Sequence, residues 1–413
     1  MKLTGIIAEY NPFHNGHALH IDKAKQLTNC THIVAVMSGQ FVQRGEAAIF
    51  DKWSRAEMAV SSGVDLVIEL PFAFAVRSAQ YFAAGSVRLL AALGADCLCF
   101  GAEQANLTML SAAANAFEQP ATAELFRTGI EQGLPYAKAL SNAIAAQTGL
   151  PADFLMTPNN ILAIEYLRSI TRWAPQIIPA AVTREQAPYH QQVINGNIAS
   201  ATAIRKALLT RKSLDEELTA ALPQRSLGML QKLLDLQMGP VESYFFGNIL
   251  LAKLRTISLS KLEEIPEIAE GLHHKIHACA LQAIDLEMLF SLVKSKRYTR
   301  TRLQRIAVHA LLGTTKNDLA RFDAAGPLYA RVLAFNNKGQ EILRHIKQHG
   351  NLPLITKTTK YLDSHQRTAI SLSPLQKMLT FDTLASDLYS LGYPNPAFRA
   401  GGLDFLRSPS HLP

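Results

Sequence analysis

Cysteine is scarce in this chain of 413 residues, and long apolar runs are missing. The four cysteines form no CxxC pair and no zinc-like spacing, which favours buried reduced thiols over a disulfide framework or a zinc site. No run of 18 uncharged apolar residues occurs, so no transmembrane helix is expected. The chain starts with a strand-like pattern instead of a signal peptide. We therefore expect a cytosolic protein without membrane contact.

Acidic residues are comparatively few in the second half of the chain. Residues 1–200 contain 13 Lys and Arg against 15 Asp and Glu, whereas residues 201–413 contain 28 against 18. The formal net charge of +8 therefore comes entirely from the second half. A positive field on one half suits a polyanion, because each neutralised phosphate releases counterions, although many basic domains bind no polyanion.

Short apolar runs alternate with amphipathic segments in the first 210 residues. Strands are predicted at Leu3–Ala8, Thr31–Met37, Val64–Glu69, Cys97–Phe100 and Ile177–Val182. Helices are predicted at Ala18–Leu27, Lys52–Ser61, Ala79–Leu93 and Asn160–Ile170. Strands separated by helices form right-handed crossovers and hence a parallel sheet. The expected fold class is α/β.

A chain of this length is expected to form at least two domains. The first, residues 1–210, would contain the parallel sheet and an Ala-rich helical insertion at about 104–150. The second, residues 211–413, is predicted to be mainly helical and carries the basic excess.

The turn after the first predicted strand reads Glu9-Tyr-Asn-Pro-Phe-His-Asn-Gly-His17. Ligands bind at the carboxyl ends of parallel strands. Gly16 allows close backbone approach, and the following helix offers free N–H groups and its positive dipole end. These features favour phosphate binding, with His14 and His17 as donors. Two alternatives stay open: His14, His17 and His20 could bind a metal, or they could simply cap and solvate the helix start.

A second motif supports phosphate binding. Ser200-Ala-Thr-Ala-Ile-Arg205 follows a turn and opens a helix, so Ser200 and Thr202 can cap the helix while Arg205 reaches phosphates. An ordinary Ser-capped helix has the same local pattern. Together with His14-Asn-Gly-His17, the motif resembles the HxGH nucleotidylyltransferase superfamily, and this resemblance implies a Rossmann-like nucleotidylyltransferase domain that activates a substrate with ATP.

Further stretches are distributed over both halves of the chain: Gly5–His17, Met37–Glu46, Glu69–Phe72, Phe100–Glu103, Pro158–Ala163, Ser200–Arg205 and Lys296–Arg300. With them the whole chain resembles the family of bacterial tRNA(Met) cytidine acetate ligases. The resemblance implies a ligase that converts acetate and ATP into acetyl-adenylate and pyrophosphate. It then implies transfer of the acetyl group to N4 of the wobble cytidine, position 34 of elongator tRNA(Met), which gives N4-acetylcytidine.

The resemblance also implies the residues of the ATP site. They are Ile7, Ala8, Glu9, Tyr10, Asn11, Pro12, Phe13, His14, Asn15, Gly16, His17, Ala18, Leu19, His20, Gly101, Asn160, Arg184, Ser200, Thr202 and Arg205. His14 and His17 are the predicted catalytic residues, because their N–H groups can meet the charge that develops on the phosphates.

Three of these positions have plainer alternatives. Gly101 suits a ribose or base that approaches closely but also an ordinary turn, Asn160 suits a helix cap, and Arg184 suits a solvated surface. Mg²⁺ is expected with ATP, and no protein metal site is expected. The loop at residues 38–46 is assigned to acetate by its location alone.

A basic run in the second half lies between residues 291 and 305, where no acidic residue occurs. Its members are Lys294, Lys296, Arg297, Tyr298, Arg300, Arg302 and Arg305. On a continuous helix, Arg297, Arg300 and Arg305 would share one face. We predict that the run binds the tRNA backbone and that Tyr298 stacks on a base. A solvated helix face is the alternative.

Two other functions use part of this pattern. An adenylyltransferase of a small phosphate metabolite would need both motifs but has no need of a basic half. A non-catalytic, nucleotide-gated RNA-binding protein would keep the basic half but has no chemical use for the histidines.

Overall fold

The structure is a computed structural model, and it describes residues 1–134, 136–184, 194, 197–365, 367 and 371–413. The strands are β1 (Leu3–Ala8), β2 (His32–Ser38), β3 (Leu66–Leu70), β4 (Cys97–Ala102), β5 (Ile178–Thr183), β6 (Ala330–Phe335), β7 (Leu354–Ile355) and β8 (Ser410–His411). The helices of the first half are α1 (Asn15–Thr28), α2 (Lys52–Ser61), α3 (Phe72–Ala75), α4 (Ala79–Ala92), α5 (Leu107–Phe117), α6 (Pro120–Glu131), α7 (Tyr136–Thr148) and α8 (Pro158–Trp173).

The remaining helices follow the fifth strand. They are α9 (Ala201–Arg211), α10 (Glu216–Ala221), α11 (Gln224–Asp235), α12 (Gly247–Thr256), α13 (Leu259–Glu263), α14 (Leu272–Gln282), α15 (Leu286–Val293), α16 (Arg300–Leu312), α17 (Lys316–Ala325), α18 (Asn337–His349), α19 (Pro374–Ser390) and α20 (Leu403–Leu406).

The elements predicted for the first half are confirmed, and β1 and α2 have the predicted bounds. α1 begins three residues earlier than predicted because His14 caps it, its Nδ1 accepting the N–H of Gly16 at 3.1 Å. The predicted insertion forms α5, α6 and α7, and α5 packs against α8.

The sheet has the order β5-β4-β1-β2-β3-β6-β7, with β8 beside β6. The five strands from β1 to β5 run parallel, and β2 and β3 are buried along their whole length, as a sheet covered on both faces requires. The strand order reverses between β1 and β4. In such sheets the ligand crevice lies at the carboxyl ends of these two strands, which is where the turn after β1 is found.

The two halves of the chain on either side of the predicted boundary between residues 210 and 211 share one sheet. β6 pairs antiparallel with β3, Glu69 standing opposite Arg331, so the chain returns to the sheet after its helical stretch. A separate hydrophobic cluster is confined to α12 through α16, which we call the helical unit (residues 247–312). The fold class is confirmed as α/β with a mostly parallel, Rossmann-like sheet and a mainly helical basic region.

Buried thiols were expected, and Cys97, Cys99 and Cys279 are buried and free, while Cys30 is half-buried and free. Among the described residues, no helix is long and apolar enough to cross a membrane.

Candidate functional site

His14 and His17 form a reciprocal cap at the start of α1. The N–H of Gly16 donates to Nδ1 of His14 at 3.1 Å, and the N–H of His14 donates to Nδ1 of His17 at 3.2 Å. The two rings stack with their centroids 3.7 Å apart. Because each Nδ1 accepts a hydrogen bond, each neutral imidazole carries its proton on Nε2. His14 and His17 therefore cap the helix start, and this arrangement leaves both Nε2–H groups as donors.

One of these donors is buried without a partner. Nε2 of His14 has no hydrogen bond within the part of the chain that the structure describes. A buried polar atom of this kind costs free energy unless a ligand or water satisfies it. The His14 side chain is thus prepared to donate to an acceptor that enters the crevice.

The histidines of the turn are held neutral. Burial, followed by the charges of Arg184 and Arg205, lowers the pKa of His14 to about 3. Burial and the neighbouring His14 hold the pKa of His17 well below its usual range, and burial with Arg184 lowers the pKa of His20 to about 4. At neutral pH the turn therefore offers neutral hydrogen-bond donors, and the arginines supply the positive charge.

Arg205 joins the second motif to the turn. Its Nη1 donates to the carbonyl oxygen of Asn11 at 2.9 Å, and its Nη2 lies 3.2 Å from Oγ1 of Thr202. The two predicted motifs, which are about 190 residues apart in the sequence, thus meet at one point. Ser200 serves as the cap of α9, its Oγ accepting the N–H of Ala203 at 3.1 Å.

The end of β4 lies on the other side of the crevice. A Cβ on Gly101 would stand 2.9 Å from Cγ of Arg184, so glycine lets the Arg184 side chain cross the strand end. The guanidinium of Arg184 donates to Oδ1 of Asn159 at 2.6 Å. Arg184 therefore lies at the end of β4 beside the crevice, and Gly101 makes room for this side chain.

Asn160 has a structural task. Its side chain is fully buried: Oδ1 accepts the N–H groups of Glu103 and Gln104, and Nδ2 donates to the carbonyl of Phe154 at 2.9 Å. The Glu103 carboxylate in turn accepts the N–H groups of Asn159 and Asn160 at the start of α8. The Asn160 amide thus shapes the turn after β4, and only its second Nδ2 hydrogen is left for another acceptor.

Arg55 is a central residue that the sequence did not reveal. Its fully buried guanidinium donates to four carbonyl oxygens, those of Glu9, Ser38, Gly39 and Phe50. The first belongs to the loop after β1 (residues 9–14, the first loop), and the other three border or belong to the loop after β2 (residues 39–50, the second loop). In the sequence, Arg55 looks like any polar position of an amphipathic helix.

Two more bonds join the loops. The N–H of Gln43 donates to Oε1 of Glu9 at 2.9 Å, and the N–H of Ile49 donates to Oδ1 of Asn11 at 2.8 Å. Burial raises the pKa of Glu9, while the Gln43 N–H and the charge of Arg205 act in the opposite direction. The first loop is therefore bound to the second loop through the side chains of Glu9 and Asn11.

Metal binding by His14, His17 and His20 was an open alternative. Among the described residues, no group of three or more His, Cys, Asp and Glu side chains is arranged to hold a metal ion. Nε2 of His20 instead lies 3.6 Å from Sγ of Cys99.

Comparisons with known proteins agree with this geometry. The model of the HIGH Nucleotidyl Transferase family matches residues 1–402. A tRNA(Met) cytidine acetate ligase of Thermoanaerobacter sp. (strain X514) is 41% identical over 411 residues, 98% of each chain. One from Acetivibrio thermocellus is 38% identical over 419 residues, 99% of each chain. The chain belongs to the tRNA(Met) cytidine acetate ligase family.

Solved structures from this ligase family have the same fold. Apo TmcAL of Thermotoga maritima superposes with a TM-score of 0.92 at 32% identity over 100% of both chains. The same protein bound with alpha-thio ATP superposes with a TM-score of 0.90 at 31% identity, again over 100% of both chains.

The basic run of this ligase-family member differs from the prediction. α16 begins at Arg300, where Thr299 caps it, so Arg297 lies before the helix and does not share a face with Arg300 and Arg305. The Arg305 side chain is only 10% exposed and pairs with Glu267 at 2.6 Å. The prediction that Arg305 belongs to a solvent-facing RNA contact is therefore wrong, because this cation is a structural ion pair.

Other members of the run also have partners. Arg302 donates to the carbonyl of Glu267 at 2.6 Å and lies over the ring of Tyr298, which packs against the core of the helical unit. Arg300 pairs with Glu287. The predicted tRNA-binding residues that stay most open to solvent are Lys294, Lys296 and Arg297, the last 66% exposed although it pairs with Glu270.

A buried ionic network lies beneath the second loop. Nζ of Lys52 is 2.8 Å from carboxylate oxygens of both Glu69 and Asp404, and Arg331 pairs with the same two carboxylates. All four side chains are almost completely buried. Gly39 permits this arrangement, since a Cβ there would stand 2.4 Å from Oε1 of Glu69.

Proposed function

We propose that this chain activates acetate with ATP to acetyl-adenylate and pyrophosphate, and then acetylates N4 of the wobble cytidine of elongator tRNA(Met). The observation that carries the proposal is the pair of Nε2–H donors on His14 and His17 at the start of α1, with Arg184 and Arg205 beside them. The names of the relatives and the ATP analogue bound in one solved structure support the same function.

The first step is an in-line attack by an acetate carboxylate oxygen on the α-phosphorus of ATP. A phosphorus–oxygen bond forms to acetate, and the bond to pyrophosphate breaks. Acetate is already ionised at neutral pH, so this step needs no general base. Negative charge builds on the transferring phosphoryl group and on the leaving pyrophosphate. Fixed donors that meet this charge lower the barrier, and His14, His17 and the N–H groups of α1 are such donors.

The two arginines complement these neutral donors. Arg205 is anchored on the Asn11 carbonyl and keeps further N–H groups for phosphate oxygens. Arg184 is anchored on Asn159 on the opposite side of the crevice. The triphosphate of ATP thus enters between two positive groups at the switch point of the sheet.

In the second step the N4 amine of cytidine attacks the acetyl carbonyl, loses a proton, and AMP leaves. A carbon–nitrogen bond forms and the mixed anhydride breaks. The base must leave the RNA stack so that its amine can reach the adenylate.

Mg²⁺ fits this site as a companion of the triphosphate. The side chains of His14, His17 and Arg205 are donors, and among the described residues no group of three or more His, Cys, Asp and Glu side chains is arranged to hold a metal ion. Mg²⁺ readily binds phosphate oxygens and retains water, and it would neutralise part of the triphosphate charge. The residues of this chain would bind the MgATP complex through its remaining phosphate oxygens.

ATP–pyrophosphate exchange with a panel of acids tests the proposed function. Exchange that depends on acetate, with labelled acetate then transferred to tRNA(Met) transcripts that carry cytidine at the wobble position, is the expected result. A transcript with uridine at that position is the matched control and should accept no acetyl group. Exchange that depends on a phosphate ester instead of acetate, or no exchange with any acid, would contradict the proposal.

A further inference from the structure

A stacked aromatic pair, one ring exposed and the other half-buried, lies beside the second loop. The rings of Tyr244 and Phe245 stack with centroids 4.5 Å apart and planes 25° apart, and Tyr244 is 60% exposed. The pair lies in a short 3₁₀ helix, residues Ser243–Phe246, at the entrance to the helical unit. Neither residue is part of the nucleotide crevice or of the basic run.

The second loop fixes the location of this pair. The N–H of Ala47 donates to Oγ of Ser243 at 3.1 Å, and the N–H of Val241 donates to the carbonyl of Ile49 at 2.9 Å. The ring of Phe246, on the other end of the short helix, packs edge-on against Phe41 at 5.8 Å. The segment therefore lies along the same loop that the first loop contacts through Glu9 and Asn11.

Positive charge and the basic run are close to the same loop. Arg44 at the loop tip is exposed and acts electrostatically on Glu9. The next residue, Gly45, abuts α16, because a Cβ on it would stand 2.5 Å from the backbone nitrogen of Arg305. The loop tip is thus bordered by the aromatic pair on one side and by the helix that follows the basic run on the other.

We propose that Tyr244, supported by Phe245, is a stacking platform for an unpaired base of the RNA that carries the acetylated cytidine. The inference rests on the proposed function and names one contact of its second substrate. Unpaired loop bases are recognised by stacking on aromatic side chains, which tolerate any base because every base has a π-face. A base flipped toward the adenylate leaves its neighbours unstacked, and a platform beside the loop would compensate for that loss.

The charge around the pair favours RNA over a second protein chain as the occupant. The exposed cations Arg44, Lys294, Lys296 and Arg297 suit the phosphates of an RNA strand that places a base on Tyr244. A protein partner that covered Arg44 would have to supply an anion for it, because burying an unpaired charge is costly.

The experiment compares Tyr244→Ala, Tyr244→Phe and Tyr244→Leu in the full-length protein. The probe is a stem-loop RNA with 2-aminopurine in place of the base that follows the wobble cytidine. Tyr244→Ala and Tyr244→Leu should weaken RNA binding roughly tenfold or more and abolish the quenching of 2-aminopurine, while Tyr244→Phe keeps both. Leucine separates stacking from simple apolar contact, because it has no aromatic face.

The matched control is Ile284→Ala in the helical unit, where a 77% exposed apolar side chain is removed. It should bind RNA like the wild type. Acetate-dependent exchange should stay within about twofold of the wild-type rate in all four variants, because the platform touches only the RNA.

Two results would overturn the platform: RNA affinity of Tyr244→Ala within about twofold of wild type, or a Tyr244→Leu variant that binds and quenches normally. A change of sedimentation state in Tyr244→Ala with unchanged RNA affinity would assign the pair to a protein interface and also overturn it. If wild-type protein shows no acetate-dependent exchange but its RNA binding still depends on Tyr244, the proposed function fails while the platform stands.

Discussion

His17 shows how one residue serves both structure and chemistry. Its Nδ1 accepts the N–H of His14 and fixes the helix start, and this bond places the proton on Nε2. Removing the whole imidazole would therefore mix the loss of a cap with the loss of a phosphate donor. Asparagine separates the two effects, because its side-chain oxygen can replace Nδ1 while no group of asparagine reaches the position of Nε2.

We predict that His17→Asn lowers acetate-dependent ATP–pyrophosphate exchange by roughly two orders of magnitude, the scale of one lost transition-state donor. The same change at His14 should act similarly, since its Nε2 is the buried donor without a partner among the described residues. Thermal unfolding serves as the control for folding and should be nearly unchanged. A folded His17→Asn protein with a normal exchange rate would show that the imidazole does not contact the phosphates.

Arg55 is a positioning residue, because it acts on the carbonyl groups of two loops. We predict that Arg55→Lys, which cannot reach four carbonyl oxygens, lowers the maximal exchange rate about tenfold or more while the protein stays folded. Arg88→Lys is the matched control, because Arg88 donates to the carbonyl of Asp323 away from the crevice. Free guanidinium should partly restore an Arg55→Ala variant. Equal rates for both lysine variants would contradict the role.

At the scale of elements, local signals predicted the first half well. α2 was placed correctly because its apolar period is regular and Asp51 caps it through the N–H groups of Trp53 and Ser54. The start of α16 was missed although Thr299 is a recognisable cap, because the basic residues on either side looked like one run. The histidine turn and the Arg205 motif could be predicted because each is a contiguous stretch whose residue types suit phosphate binding at a helix start.

Non-local contacts could not be read from the sequence in the same way. β6 pairs with β3 although the two strands are more than 250 residues apart in the sequence. The amino-acid pattern of β6 does not indicate which strand it pairs with. Lys52 and Arg55 occupy the buried face of α2 near its start, whereas a periodicity argument assigns such cations to solvent. Their burial depends on carboxylates and carbonyls contributed by distant segments.

Substitutions in the basic segment before α16 test whether tRNA binding and acetate activation depend on different parts of the chain. We predict that Lys296→Ala with Arg297→Ala leaves acetate-dependent exchange near normal but weakens tRNA binding. The slope of log affinity against log salt should fall by about 0.9 for each phosphate that the variant no longer neutralises. Arg205→Ala should have the opposite effect, with impaired exchange and nearly unchanged tRNA affinity.

The control for this pair removes the same charge elsewhere, through Arg344→Ala with Lys347→Ala on α18. That variant should match the wild type in both assays. If the control loses as much tRNA affinity as the Lys296 and Arg297 variant, only net charge matters, and the segment is not a specific contact.

The whole molecule is held together by charges inside it. The network of Lys52, Glu69, Arg331 and Asp404 connects the start of α2 and the strands β3 and β6 with α20. Asp382 of α19 extends it, accepting the N–H of Phe72 at 2.8 Å and the hydroxyl of Tyr329 at 2.6 Å. Buried polar groups therefore connect α19 and α20, late in the chain, with the sheet and the start of α2.

Asp382 gives this network a pH dependence. Burial, and then the charge of Glu69, raises the pKa of Asp382 to about 7. The folded state thus keeps a proton that the unfolded chain releases near 3.8, the ordinary value. This contribution to stability is complete below about pH 4 and is lost as the pH rises to about 7.

We predict that Asp382→Asn, which cannot titrate, gains stability relative to wild type as the pH rises through this window. The gain should approach about 1.4 kcal/mol per pH unit at its steepest, the effect of one proton. Urea unfolding of both proteins between about pH 4 and pH 8 measures it. A stability difference that stays constant with pH would show that Asp382 is ionised throughout.

A substitution of Asp404 tests whether α20 stabilises the fold and the site. Although its burial opposes ionisation, the neighbouring Arg331 and Lys52 lower the pKa of this carboxyl, so it is a buried anion with two cations. We predict that Asp404→Asn lowers the free energy of unfolding by about 3–5 kcal/mol, because one carboxylate must then serve both cations. Exchange should fall in parallel, since the backbone N–H of Lys52 donates to Oε1 of Gln40 in the second loop at 3.1 Å.

Removing one cation and one anion together distinguishes the contribution of charge balance to stability from the contribution of side-chain packing. Lys52→Met with Asp404→Leu takes away one cation and one anion together and should recover much of the stability that Asp404→Asn loses, since unpaired buried charges cost more than missing pairs. Glu118→Gln, which breaks an exposed pair with Arg168, is the surface control and should change urea unfolding far less. A double variant less stable than Asp404→Asn would show that shape, and not charge balance, holds the last residues of the chain against the sheet.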